Sequence, residues 1–223
     1  MKELDLIRAV LFDIDGTLFS SEDIIEQIYK EEFINYRNAY GKPEKIPSSS
    51  EIMAEIGKPV VKIFEALAPD LTEKERDLLS ETILHGLVKG IGEGRGHHYP
   101  GTREALMRIS SRYDLYAASN GRLPYVESIL KVNEVDHLFK AVPFLDYKRI
   151  HTKDELVASI LKDHGLKPEE ALLVGDRTSD RDAALNNGCI FVACRYGHGS
   201  EEEWKGAHYF IDSITELADL LSV

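Results

Sequence analysis

Short apolar, β-prone runs recur along this chain with helical patterns between most of them, and that alternation restricts the fold more than any other feature. The runs fall at residues 7–14, 115–118, 140–145, 171–174 and 189–193, with a weaker one at 209–211. Between them, Pro124 suits a first helical turn, with Val126, Ile129 and Leu130 on one face. Leu156, Ile160 and Leu161 repeat the pattern ahead of Gly165, which offers a stop. Ser213 and Glu216 have capping-box spacing in front of Leu217, Leu220 and Leu221. Successive strands joined by crossover helices are parallel, so the sequence predicts an α/β fold with a Rossmann-like parallel-sheet core.

One region breaks the alternation. Between residues 20 and 95 only helical periodicity is visible. Ser20 or Ser21 can cap a helix carrying Ile24, Ile25, Ile28 and Phe33. Pro59 can begin another with Ile63, Phe64 and Leu67 inward. Thr72 and Glu75 form a second capping box ahead of Leu79, Ile83 and Leu87. Ser48, Ser49 and Ser50 read as a polar turn, and the glycine-rich stretch from Gly90 to Gly101 as the return to the core. Tyr29, Tyr36 and Tyr40, at helical spacing, are expected to pack rather than to bind a ring. The expected organisation is a catalytic core of residues 1–19 and 96–223 with an inserted all-helical cap domain of residues 20–95.

Composition narrows the function. The 223 residues are 43% hydrophobic and 30% charged, which fits a globular protein, and no apolar run approaches the ~20 residues of a membrane span. A formal net charge of −12 argues against nucleic acid or an anionic membrane as partner. The first eight residues lack a signal-peptide pattern, and Cys189 and Cys194 show no metal-ligand spacing. A reduced, cytoplasmic setting is expected.

The chemistry-bearing residues stand at the ends of the strand candidates. The first run ends in Asp13-Ile14-Asp15-Gly16-Thr17-Leu18. Ligands of open parallel sheets bind beyond the carboxyl ends of strands, and residues two apart in extended chain face one side. Asp13 and Asp15 can therefore address one reacting atom, while Gly16 permits a sharp turn. Ser119-Asn120-Gly121 follows the second run, where a hydroxyl and loop N–H groups can hold phosphate oxygens. Lys153 starts a helix and can supply a cation. Gly175-Asp176-Arg177-Thr178-Ser179-Asp180 places two more carboxylates at a strand end, a donor set that suits Mg²⁺. Taken singly these have bland readings: Ser-Asn-Gly is an ordinary turn, Lys153 an exposed lysine, Asp180 a helix cap.

Together, in this order, the four stations resemble the haloacid dehalogenase superfamily, in the branch with a helical cap after the first motif and close to phosphoglycolate phosphatases. The resemblance covers essentially the whole chain. It implies a phosphatase acting on a small phosphorylated metabolite, with Asp13 as nucleophile and Asp15 as general acid and base. It further implies Mg²⁺ held by the Asp13 carboxylate, the Asp15 carbonyl and Asp176, with Asp180 in support. Ser119, the Asn120 N–H and Lys153 would hold the phosphoryl group. Asp15 argues against halide cleavage, whose leaving group needs no proton, and against a phosphonatase. Asp154 and Glu155 depart from the prolines that phosphoglycolate phosphatases often carry after the lysine, which leaves the substrate subfamily open. A phosphomutase of the phosphoglucomutase type and a phospho-accepting receiver domain are the alternatives, the latter disfavoured by the large helical insert. In the insert and the return segment Lys58, Arg95, His97 and His98 are candidate substrate contacts.

Overall fold

The computed structural model describes residues 4–146 and 149–223; the first three residues of the expected core lie outside the described residues. A six-stranded, fully parallel sheet runs in the order β5-β4-β1-β6-β7-β8. Its strands are β1 (Ala9–Phe12), β4 (Asp114–Ala117), β5 (Phe139–Ala141), β6 (Ala171–Gly175), β7 (Ile190–Cys194) and β8 (Tyr209–Ile211). Helices α5 (Thr102–Ser110), α6 (Leu123–Val132), α7 (Lys153–Asp163), α8 (Thr178–Asn186) and α9 (Ile214–Leu220) make the crossovers and the C-terminal end. The central strands are buried on both faces and apolar throughout, as a covered parallel sheet requires. Alternate residues serve opposite cores: Val10, Phe12 and Val174 one, Leu11, Leu173 and Phe191 the other.

From β1 the chain builds one side of the sheet through β4 and β5, then crosses to β6 on the other side. The strand order therefore reverses beside β1, and a crevice is expected at its carboxyl end.

Between β2 (Phe19–Ser20) and β3 (His97–His98) lie α1 (Glu22–Tyr40), α2 (Ser49–Glu55), α3 (Val60–Leu67) and α4 (Glu73–Gly92). The two short strands pair antiparallel, Phe19 with His98 and Ser20 with His97, so the chain leaves and re-enters at adjacent points. That ribbon is absent from the sequence reading. Apolar residues expected inward on these helices, among them Ile24, Ile28, Phe33, Ile63, Phe64, Leu79 and Ile83, are buried.

Four local expectations change. Ser48 opens α2 through a capping box, its hydroxyl accepting from Glu51 N–H at 3.3 Å while the Glu51 carboxylate accepts from Ser48 N–H at 2.9 Å. The Ser213 box does not form: the Ser213 hydroxyl lies beside Thr215, and Glu216 accepts instead from Asp212 N–H. Helix α4 runs on through Gly90 to Gly92; a Cβ at Gly90 would lie 2.7 Å from Ile24 Cδ1 of α1, so the glycine is a close-packing residue, not a break. Strand β5 stops at Ala141, two residues before Pro143, which has no N–H for a sheet. Among the described residues no helix is long and apolar enough to cross a membrane.

Candidate active site

After β1 the chain turns on the carbonyl of Ile14, which accepts from the N–H groups of Thr17, Leu18 and Phe19. Gly16 makes the turn with φ +78, and a Cβ there would lie 2.4 Å from the Asp176 carboxylate. The loop after β1 therefore presses against the loop after β6. Asp13 is tied to β6 by its N–H, which donates to Val174 O at 2.9 Å.

Lys153 is the first residue of α7, whose N-cap Thr152 accepts from Glu155 N–H. The lysine is not exposed: it is 4% accessible, and its Nζ donates to Asp13 Oδ1 at 2.8 Å and Asp180 Oδ1 at 2.5 Å. Burial opposes its charge, but the attraction of Asp13 and Asp180 prevails and keeps it an ammonium. Where the prolines were absent, Asp154 and Glu155 have structural work. Asp154 accepts from Asn186 and Asn187 of the α8 end, and Glu155 from His151 N–H.

Asp180 caps the loop as well as orienting Lys153. Its Oδ2 accepts from the N–H groups of Asp176 and Arg177 at 3.1 and 2.9 Å. Asp176 is fully buried: Oδ2 accepts from His198 N–H at 2.6 Å, and Oδ1 has no hydrogen-bond partner among the described residues. Carboxylate oxygens of Asp13, Asp176 and Asp180 all lie within 4.8 Å of one another. Burial, then repulsion from Asp180 and Asp13, pushes the Asp176 carboxyl well above the usual range. Burial likewise pushes Asp13 up to about 7, with Asp180 adding and Lys153 opposing. One ammonium cannot balance three carboxylates, and the orphaned Oδ1 is a ready donor. Hard oxygen donors with excess negative charge fit a divalent cation such as Mg²⁺.

The Asp15 carboxylate faces elsewhere. Its Oδ1 accepts from Ser21 Oγ and Tyr125 Oη, each at 2.5 Å. Burial raises its pKa against the lowering effect of those two hydroxyls and of His198. Ser21 is the N-cap residue of α1, but its hydroxyl serves Asp15 rather than the helix.

Ser119 and Asn120 are buried at the mouth. Ser119 Oγ accepts from Gly121 N–H at 3.0 Å, while Asn120 Nδ2 donates to Gly57 O of the insert at 2.7 Å. Of the four candidate substrate contacts, Lys58 lines the cavity over Asp13 and Asp15, whereas Arg95, His97 and His98 do not. Tyr29, buried and stacked on Phe64 as packing requires, also lines it.

Sequence reasoning missed Ser21, Tyr125 and the loop of Gly197, His198 and Gly199. That loop carries a usable signal in its glycines, since a Cβ on Gly199 would lie 1.7 Å from Asp176 O. Trp204 closes it by donating from Nε1 to the same oxygen at 2.7 Å.

The sequence from residue 10 to residue 194 matches the family model for haloacid dehalogenase-like hydrolases. The chain belongs to that family. It is 30% identical to a 5'-nucleotidase of Pseudomonas aeruginosa, covering 96% of this chain and 94% of that protein. It is 28% identical to a phosphoglycolate phosphatase of Nitrosococcus oceani, covering 96% of each. In fold it is similar to a predicted phosphatase from Clostridium acetobutylicum, with a TM-score of 0.79 at 24% identity over 97% of this chain and 99% of that one. With the family matched over residues 10–194 and such relatives over 96% of it, the chain is a phosphatase.

Proposed function

We propose that this phosphatase hydrolyses a small phosphate monoester through an aspartyl-phosphate on Asp13, with Mg²⁺ as cofactor. The observation that carries this is the trio of buried carboxylates, Asp13, Asp176 and Asp180, set around one lysine with Asp176 Oδ1 unpartnered. Asp13 and Asp176, with the Asp15 carbonyl, would hold the metal beside Asp180; when bound it offsets the repulsion between a carboxylate nucleophile and a phosphate.

Lys153 fixes Asp13 through Oδ1 and balances charge at the nucleophile. An Asp13 oxygen attacks phosphorus as the ester P–O bond breaks, and Asp15 gives the leaving alcohol its proton. Burial raises the Asp15 pKa, the direction that favours the protonated form an acid needs. With Oδ1 occupied by two hydroxyls, the transferable proton belongs on Oδ2. Asp15 then takes a proton from water, which attacks the same phosphorus, releasing inorganic phosphate and restoring the Asp13 carboxylate. Ser119 accepts from Gly121, which leaves its own O–H to donate to a phosphoryl oxygen. The Asn120 side chain is engaged with Gly57, so its phosphate contact falls to the backbone N–H.

Residues 20–95 act as a cap in this reading. The Asn120–Gly57 bond and the 2.5 Å Arg122–Glu81 ion pair hold the insert over the mouth, where closure excludes water. A receiver domain has no use for such a covered cavity. The substrate is a small phosphorylated metabolite and the setting cytoplasmic, which the two free, buried cysteines favour. The test is rapid-quench mass spectrometry on wild type and Asp13→Asn with p-nitrophenyl phosphate and Mg²⁺. A phosphoryl adduct on the peptide containing Asp13, lost in the variant, is expected; an adduct elsewhere, or full turnover by the variant, refutes the reading.

A further inference from the structure

Above Asp13 and Asp15 the active-site cavity rises into the insert between α1, α3 and α4, with a volume of about 70 Å³. Its floor is polar and its upper wall is mainly apolar, with Ser80 of α4 and the Tyr29 hydroxyl as its polar groups. Ile25 and Tyr29 come from α1, Ile63 and Phe64 from α3, Ile83 and Leu84 from α4. The Tyr29 and Phe64 rings stack, centroids 5.9 Å apart and planes 18° from parallel, giving that wall a flat aromatic section. The two cations on the lining are at the mouth and are already paired, Lys58 with Glu55 at 2.8 Å and Arg122 with Glu81 at 2.5 Å.

A leaving group with a second negative charge would have to shed water against isoleucine, leucine and phenylalanine, without a cation that is not shared with a carboxylate. A neutral leaving group with an apolar face meets no such cost and displaces water from the wall. We infer that this enzyme selects phosphate esters of neutral alcohols bearing an alkyl or aryl group, and discriminates against esters whose alcohol carries a carboxylate. This rests on the phosphatase reading and deepens it. It runs against carrying over the substrate of the phosphoglycolate phosphatase relatives.

The test uses non-hydrolysable phosphonates, so that binding is read apart from turnover. With Mg²⁺ present, calorimetry gives Kd for methyl-, ethyl-, propyl-, butyl- and benzylphosphonate and for phosphonoacetate. Affinity is expected to rise roughly fourfold per buried methylene, about sixtyfold from methyl- to butylphosphonate. Benzylphosphonate should join the tight end and phosphonoacetate should bind more weakly than ethylphosphonate. Leu84→Gln should flatten the chain-length dependence. A flat wild-type series, or phosphonoacetate as the tightest ligand, overturns the inference; so does a full slope in Leu84→Gln. Matched kcat/KM values for the corresponding esters keep the two readings apart. A steep phosphonate series with no turnover of any ester supports the pocket and refutes the phosphatase mechanism.

Discussion

Asp176 offers a quantitative test, because in the metal-free protein it is a buried carboxylate with one oxygen unpartnered and two acidic neighbours. Such a group destabilises the fold and is relieved by a cation. At a Mg²⁺ concentration about 100 times Kd, linkage adds about 2.7 kcal/mol to stability. For a chain of this size about 2–4 °C of Tm accompanies each kcal/mol, so Mg²⁺ should raise Tm by about 5–10 °C. Asp176→Asn is isosteric, keeps an oxygen for His198 N–H, and replaces a repelling oxygen by an NH₂ that can donate to its acidic neighbours. Its metal-free Tm should exceed that of wild type, since burial and two acidic neighbours no longer act against a charge at this position. Its response to Mg²⁺ and its activity should largely vanish. The pH dependence has a definite sign. A carboxyl raised in the folded state binds its proton more tightly there than when unfolded, so stability is greatest at low pH. It is lost as pH rises from the ordinary 3.8 of an aspartate through the value of about 7 that Asp13 reaches in the fold. Mg²⁺ should remove most of that loss. Differential scanning calorimetry with EDTA and with Mg²⁺, from pH 4.5 to 8, reads all of this. A wild-type Tm indifferent to Mg²⁺, or an equal metal response in Asp176→Asn, would refute the reasoning.

Asp15→Asn should lose about 10²–10⁴-fold in kcat on an alkyl phosphate yet still bind Mg²⁺, with a smaller loss on an activated aryl ester whose leaving group needs little protonation; equal losses on both would argue against a general acid. Tyr125→Phe removes one of two hydroxyls on Asp15 Oδ1, and it should lower kcat on alkyl esters several-fold while sparing the activated ester, measured by steady-state kinetics. Lys153→Met leaves Asp13 and Asp180 buried without their cation, a change worth about 3–5 kcal/mol of stability at neutral pH by urea titration. Lys58→Ala should reorder a panel of phosphate esters more than it changes p-nitrophenyl phosphate turnover; a uniform loss would remove Lys58 from selection.

The sheet and its tip residues were legible because each signal is local. An apolar run followed at once by Asp13, Ser119 or Asp176 needs no knowledge of distant residues, and the crossover rules then bring the strand ends together. Lys153 was legible in identity but not in environment, since its burial depends on α7 packing its first residue between the loops after β1 and β6. The Asp15 clamp was not legible at all. Tyr125 reaches Asp15 across 110 residues of sequence, and its place on α6 looks like any apolar-face tyrosine until the rotation of that helix is known. Ser21 misled for a related reason: serine before a helix ordinarily caps it, and here a buried carboxylate competes for the hydroxyl. The short ribbon of β2 and β3 carries no periodicity to detect.

That ribbon has an evolutionary corollary. Because Ser20 and His97 are cross-strand neighbours, the chain between them leaves and rejoins the core at adjacent points, and it touches the site again through Ser21–Asp15, Gly57–Asn120 and Glu81–Arg122. No strand of the parallel sheet takes its register from that segment, although Ser21 bonds Asp15 and Glu22 pairs with His198, whose N–H holds Asp176. A transplant of residues 22–92 from a relative is therefore expected to move substrate preference, with the reaction kept only where the donor supplies partners equivalent to Glu22, Gly57 and Glu81.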